Sequence, residues 1–230
     1  MTLGLGWALL DAHTGDNRRH SHVAHQISLA LEGDCEIGGA HPLRLARGEA
    51  AVIPAGTKHC LMPAGVPVRT IYVDPLFRGM RDLIRTPKLE RLNAKDASAL
   101  GSIHSREEAK RWMIAYANRS SAIPIDGRLH SALSAIVPGT SPAALAQSIG
   151  LSTTRLREIA IHDFGVPTAK LLQWLQLQSA IEAFRQTHNL ADAAAAGGFS
   201  DQAHFTRRLV EWFGVTPSLG LAQLEISVIP

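Results

Sequence analysis

Apolar and polar positions change their period along this 230-residue chain. Up to about residue 75, apolar residues come in short runs at 27–31, 51–53 and 68–73. Turn residues punctuate them: Gly33 with Asp34, Gly38 with Gly39, and Pro54-Ala55-Gly56. Such runs predict strands, and many in succession predict a small barrel or jelly roll. From Leu76 the texture shifts to Arg, Lys, Glu and Ala, predicting helices near 78–85 and 105–118. Residues 121–127, containing Pro124, read as a linker. From 128 to 220 the spacing of three and four takes over. Leu145 and Ile149 share a face, as do Leu171, Trp174, Leu175, Ile181 and Phe184, and then Phe205, Leu209 and Phe213. The expected fold is therefore α+β and multidomain: a β domain over 1–75, a helical connector over 76–127, and an all-α domain over 128–220.

A single pattern occurs twice within the helical region. Gly150-Leu151-Ser152 precedes one amphipathic stretch and Gly198-Phe199-Ser200-Asp201 precedes another. Each reads as a glycine turn, a polar N-cap and a helix with one polar face left over. Leu156 and Gly165 are nine apart, as are Phe205 and Gly214. Two such units suggest two helix-turn-helix motifs reading successive major grooves, about 34 Å apart. The helix expected from Pro167 to Thr187 would span roughly 30 Å at 1.5 Å per residue, a suitable spacer.

Composition narrows the choice. No apolar run approaches the roughly 20 residues of a membrane span, and the first ten residues lack the marks of an export signal. Cys35 and Cys60 read as buried small hydrophobes in a reducing cytoplasm, with a redox pair as the alternative. The net charge of +3 is uneven: residues 76–120 hold ten Lys/Arg against five Asp/Glu, whereas 126–217 hold seven of each. Any grip on phosphate by the helical domain must come from placement rather than bulk charge.

The helical domain also resembles the AraC/XylS family of transcription regulators over most of 128–220. The resemblance is carried by Leu145-Ala146, Gly150-Leu151-Ser152, Leu156, Gly165-Val166-Pro167, Gly198-Phe199-Ser200-Asp201-Gln202, His204-Phe205-Thr206-Arg207 and Phe213-Gly214-Val215-Thr216-Pro217. It implies that Thr154, Arg157 and Glu158 face DNA from the first unit, and Gln202, Ala203, Thr206 and Arg207 from the second. Departures fall mainly on the first unit. Ala160 replaces a bulky Phe, Gln176 and Gln178 stand where Arg is common, and Glu158 would repel phosphate, though it could accept from cytosine N4.

Six of the eleven histidines precede residue 60. His20, His22 and Gln26 share parity, so on one strand they would face one way, with His25 on the other side. Gly48, Pro54, Gly56 and His59 fit a strand, a turn and a returning strand. With Gly15 and Gly33, these positions resemble the two cupin motifs. The resemblance implies a site of His20, His22, Gln26 and His59, with Gln26 where metal-binding cupins carry Glu. Three readings stand: a divalent metal (Zn, Ni, Fe or Cu), a metal-free pocket for a small polar or anionic effector, or satisfied barrel histidines.

Together these features lead to a cytoplasmic, sequence-specific transcription regulator, without catalytic residues, that binds double-stranded DNA. A small-molecule or metal effector in the N-terminal barrel would control it, and the resemblance implies activation through RNA polymerase. The basic middle, with Arg78, Arg81, Arg85, Lys88 and Arg91, would form a homodimer face, add phosphate contacts or stay solvated. The alternatives are a metal-dependent cupin enzyme with a helical appendage, and a degenerate regulator acting through protein contacts.

Overall fold

A computed structural model of the chain describes residues 2–4, 7–15, 19–74, 89–117 and 126–213. The chain divides into two compact units, one within 1–122 and one within 123–222. The helix expected at 78–85, the linker 121–125 and Gly214 to Pro217 lie outside the described residues.

The first unit contains β1 (Thr2–Gly4), β2 (Trp7–His13), β3 (His25–Ala30), β4 (Cys35–Gly38), β5 (Leu43–Leu45), β6 (Ala50–Ile53), β7 (Cys60–Met62), β8 (Pro67–Val73) and β9 (Glu90–Arg91). They form an antiparallel six-stranded sheet in the order β1-β2-β8-β3-β6-β9 and a three-stranded sheet in the order β5-β4-β7. The cupin-like domain is thus two facing sheets whose hydrogen bonding does not close among the described residues. Between them lie Ala30, Cys35, Ile37, Leu45, Ala51, Ile53 and Val68. The large sheet's other face carries Ile27, Leu29, Val52, Ile71 and Val73. These pack against Leu100, Ala109 and Met113 of α1 (Ala94–Gly101) and α2 (Arg106–Ala117). This second core explains why β3 is buried along its whole length instead of alternating.

Arg69 ties sheet to helix. Its guanidinium pairs with Asp11 across the β2–β8 ladder and donates to the carbonyls of Leu100, Gly101 and Ile103, at distances of 2.7 to 3.1 Å. A cation thereby fills the carbonyl end of α1, where the helix dipole is negative. Arg91, one of the basic residues of the middle segment, is also engaged, with Glu49 and the Arg44 carbonyl. Cys35 and Cys60 cannot pair: Cys60 sits opposite Gly38 on the β4–β7 ladder, three positions from Cys35 and on the opposite face. Both thiols are free and buried.

The second unit holds α3 (Gly127–Ser134), α4 (Pro142–Ser148), α5 (Thr153–Phe164), α6 (Thr168–Thr187), α7 (Leu190–Ala196) and α8 (Gln202–Phe213). Ser141 caps α4, which starts on Pro142, and Ser152 caps α5. Gly165, at φ 72°, ends α5 in the left-handed region. The long α6 buries Leu171, Leu172, Trp174, Leu177 and Ala180. Gly197 lets α7 approach it closely: a Cβ there would lie 2.7 Å from both the Ala180 Cβ and the Gln176 carbonyl oxygen.

Candidate functional sites

The histidine cluster arises differently from the single strand that parity predicts. His20 and His22 precede β3, so only Gln26 sits on that strand. A two-residue bridge brings them together: His20 and His59 exchange both backbone hydrogen bonds at 2.9 Å. The Gly56 N–H, beside the β6–β7 turn, donates to the His22 carbonyl and fixes the loop. The rings of His20 and His59 lie 4.5 Å apart, and those of His22 and His59 5.1 Å apart. The three histidines offer nitrogens within 4.8 Å of one another.

Hydrogen bonds settle the tautomers. His22 Nδ1 lies 2.7 Å from the Ala24 carbonyl and His59 Nδ1 lies 2.9 Å from the Thr57 carbonyl. A carbonyl only accepts, so each Nδ1 carries the proton. Burial lowers the pKa of His22 to about 4 and that of His59 to about 3, so both rings are neutral at physiological pH. Their Nε2 atoms therefore present lone pairs, and both aim at Gln26 Oε1, at 2.7 and 3.0 Å. A backbone acceptor on one ring nitrogen and a free lone pair on the other is how proteins prepare a histidine for a metal. Three imidazoles and an amide oxygen fit Zn, Ni, Cu or Fe, with no carboxylate to offset the charge.

Sequence reasoning missed three neighbours. Gln26 Nε2 lies 2.8 Å from Ser28 Oγ, and Ser28 Oγ lies 3.0 Å from Thr70 Oγ1. The Tyr72 ring stands edge-on to His22 at 5.1 Å. Register could have found them, because Ser28 and Thr70 are paired on β3–β8 and Gln26 is paired with Tyr72. His25 does occupy the opposite face, but that face is covered and the ring is fully buried. Its Nδ1 accepts from the Ala55 N–H at 3.1 Å.

In the second unit, the DNA-facing positions implied for α5 and α8 lie outside the cores. Thr154, Arg157 and Glu158 are exposed on α5, while Leu156, Ile159 and Ala160 of the same helix are buried. On α8, Gln202, Ala203 and Arg207 are exposed and Thr206 is half-buried, above a core of Phe205 and Leu209. The α8 cap is Asp201: its carboxylate accepts from the His204 N–H at 2.6 Å. That bond, with the nearby Arg207 charge adding to it, holds the Asp201 carboxyl below its ordinary range. The Glu158 carboxylate is engaged by Arg155 at 3.0 Å, one turn away.

Residues 145–219 match a family model described as a helix-turn-helix domain. Among solved structures, the chain is similar to ToxT from Vibrio cholerae: 13% identity, TM-score 0.60, covering 93% of this chain and 97% of that one. It is also similar to wild-type ToxT of strain SCE256 bound to an unsaturated fatty acid, at 12% identity and TM-score 0.61, with 92% of each chain covered. At these identities the likeness shows a shared fold. No curated protein sequence matches. Residues 145–219 form a helix-turn-helix domain that follows a β unit along the sequence, and the chain is a DNA-binding transcription regulator.

Proposed function

We propose that the N-terminal unit senses a divalent metal ion, held by His20, His22, His59 and Gln26, and that the ion biases DNA binding by α5 and α8. One observation carries this reading. The protons of His22 and His59 are committed to backbone carbonyls, so two Nε2 lone pairs converge on an amide oxygen. The same neutrality argues against a metal-free anion pocket, because neutral rings supply no charge to attract an anion. ToxT is described with a bound fatty acid, and a carboxylate effector here would find its cation in the metal itself. The ion would supply a fixed positive charge among the strands. A population shift follows if it favours one arrangement of the chain over another.

On DNA, Arg157 and Arg207 would contact base edges or phosphate, with Gln202, Ala203 and Thr206 beside them and Thr154 and Glu158 on the first helix. We assign the regulator to the cytoplasm, where it would activate transcription with RNA polymerase, as a homodimer. No catalytic step is assigned to the cluster.

A mobility-shift titration of the full chain on its own upstream DNA, with and without Zn²⁺ and at several salt concentrations, tests the proposal. The expected result is affinity that falls with salt and changes on adding zinc. Binding that is absent or independent of salt overturns the DNA contacts. Salt-dependent binding that zinc leaves unchanged, with no zinc retained, overturns the metal reading.

A further inference from the structure

We infer that Gln26 is a reversible switch in the effector site: its amide turns its NH2 toward the histidines when no cation is held and its carbonyl toward them when one is. The Ser28–Thr70 hydroxyl pair reverses its own hydrogen bonds to follow. This deepens the metal reading above and rests on it.

The argument is one of donors and acceptors. His22 Nε2 and His59 Nε2 are both lone pairs, for the reasons given above, and both face the same end of the Gln26 amide. Without a cation, an oxygen at that end would set three acceptors against one another in a buried site, which is costly. An NH2 at the same end donates once to each ring and satisfies both. With a cation, the preference inverts, since only the oxygen can serve the ion. A half-turn about the Cγ–Cδ bond exchanges the two ends.

That half-turn is accessible only if the far end of the amide meets a group that both donates and accepts. Ser28 Oγ, 2.8 Å away, is such a group, and its own partner Thr70 Oγ1, 3.0 Å further on, can be donor or acceptor. In one direction Thr70 donates to Ser28 and Ser28 donates to the Gln26 oxygen. In the other, Gln26 donates to Ser28 and Ser28 donates to Thr70. All three side chains are buried, so water does not substitute for this chain. A glutamate at position 26 could not do the same. It would have no proton for the two lone pairs, and it would leave a negative charge buried without a cation. Glutamine makes the site stable in both states and weakens its hold on the ion, as a sensor requires.

Thr70 touches neither a histidine nor the ion, which makes it the diagnostic position. In Thr70→Val the Ser28 hydroxyl loses its other acceptor, so its proton goes to the Gln26 oxygen and the NH2 stays on the histidines. Zinc affinity, measured by competition with a chromophoric chelator on the full chain, should fall about tenfold, the worth of one buried hydrogen bond. Thr70→Ser keeps the hydroxyl and should bind zinc like the wild type. Gln26→Glu should bind zinc at least about tenfold tighter, because a carboxylate offsets the ion's charge. In the Gln26→Glu background Thr70→Val should cost almost nothing, since one carboxylate oxygen takes the Ser28 proton and the other still faces the ion. An equal loss in both backgrounds, or none in the wild-type background, overturns the switch and leaves the metal reading standing. Absence of zinc binding in both the wild type and Gln26→Glu overturns the metal reading, and the switch with it.

Discussion

The histidine cluster and the helices proposed to read DNA, α5 and α8, carry their chemistry in opposite ways. His22 and His59 are buried and neutral, and each is fixed by a backbone carbonyl. Arg157 and Arg207 are exposed on the surfaces of their helices. The cluster therefore depends on desolvation and tautomer, and its performance should track pH and bound ion. The helices depend on charge placement, and their performance should track salt. The largest expected effect follows from the first of these. His22 and His25 have pKa values lowered to about 4, and His59 to about 3, all through burial. Unfolding returns them to about 6.5. Between those values the unfolded chain binds more protons, so stability is full above pH 6.5 and is lost as pH falls toward 4. Urea unfolding of the full chain should show the first unit losing several kcal/mol over that window. A flat profile there would contradict burial as the reason the rings are neutral.

Two smaller losses separate the units by what holds each together. Arg69→Ala removes the partner of Asp11 and of three carbonyls at the end of α1. It should cost the first unit about 2 kcal/mol, because the carbonyls at the end of α1 lose their donor while the half-exposed Asp11 carboxylate is rehydrated. Gly197→Ala places a methyl against the Ala180 Cβ and the Gln176 carbonyl oxygen. It should cost the second unit about 2 kcal/mol through overpacking. Denaturant unfolding followed by circular dichroism, and by the indole fluorescence of Trp112 and Trp174 in single-tryptophan variants, would assign each loss to its unit. A loss appearing in the wrong unit would break the comparison.

The two regions also differ in how far sequence reveals them. A capped helix is local: Ser152, Gly165 and the i, i+4 spacing of Phe205 and Leu209 are enough to draw α5 and α8. Even there Ser200 and Asp201 are both good caps one residue apart, and only backbone geometry selects Asp201. The histidine cluster is non-local. Parity on one strand suggested a shared face for His20, His22 and Gln26, yet the residues meet through a bridge to His59, nearly forty positions away. The set of residues was legible while the route to it was not. The partners Ser28 and Thr70 stayed hidden, since pairing β3 with β8 requires the register. The second core behind the large sheet was hidden for the same reason, and it is why His25 is buried on the face opposite Gln26.

On the DNA side, Arg207→Ala is expected to lower affinity for a specific site about tenfold, whether the side chain reads a base or a phosphate. The salt dependence distinguishes these: a phosphate contact reduces the slope by about 1, and a base contact relaxes preference at one position instead. Unchanged affinity would remove α8 from the interface.

The smallest effect is the most instructive about the two copies. Each helix pairs one arginine and leaves another outside the pair: Arg155 with Glu158 beside Arg157 on α5, and Arg208 with Glu211 beside Arg207 on α8. Each copy therefore brings one fewer cation to a phosphate backbone than its arginine count suggests, but only on α5 is the pairing acid, Glu158, among the positions proposed to face DNA. Glu158→Gln frees Arg155 and removes a negative charge from the helix face. Exposed pairs of this kind contribute little to stability, so the fold should be unaffected. Non-specific DNA affinity should rise about threefold and the salt slope should steepen by about 1, as one more cation displaces a counterion. If Glu158 instead accepts a hydrogen bond from a cytosine amine in the groove, the same substitution lowers affinity at the specific site while non-specific binding still rises. Parallel titrations on specific and unrelated duplexes separate these cases, and no change on either duplex would place the first copy away from DNA.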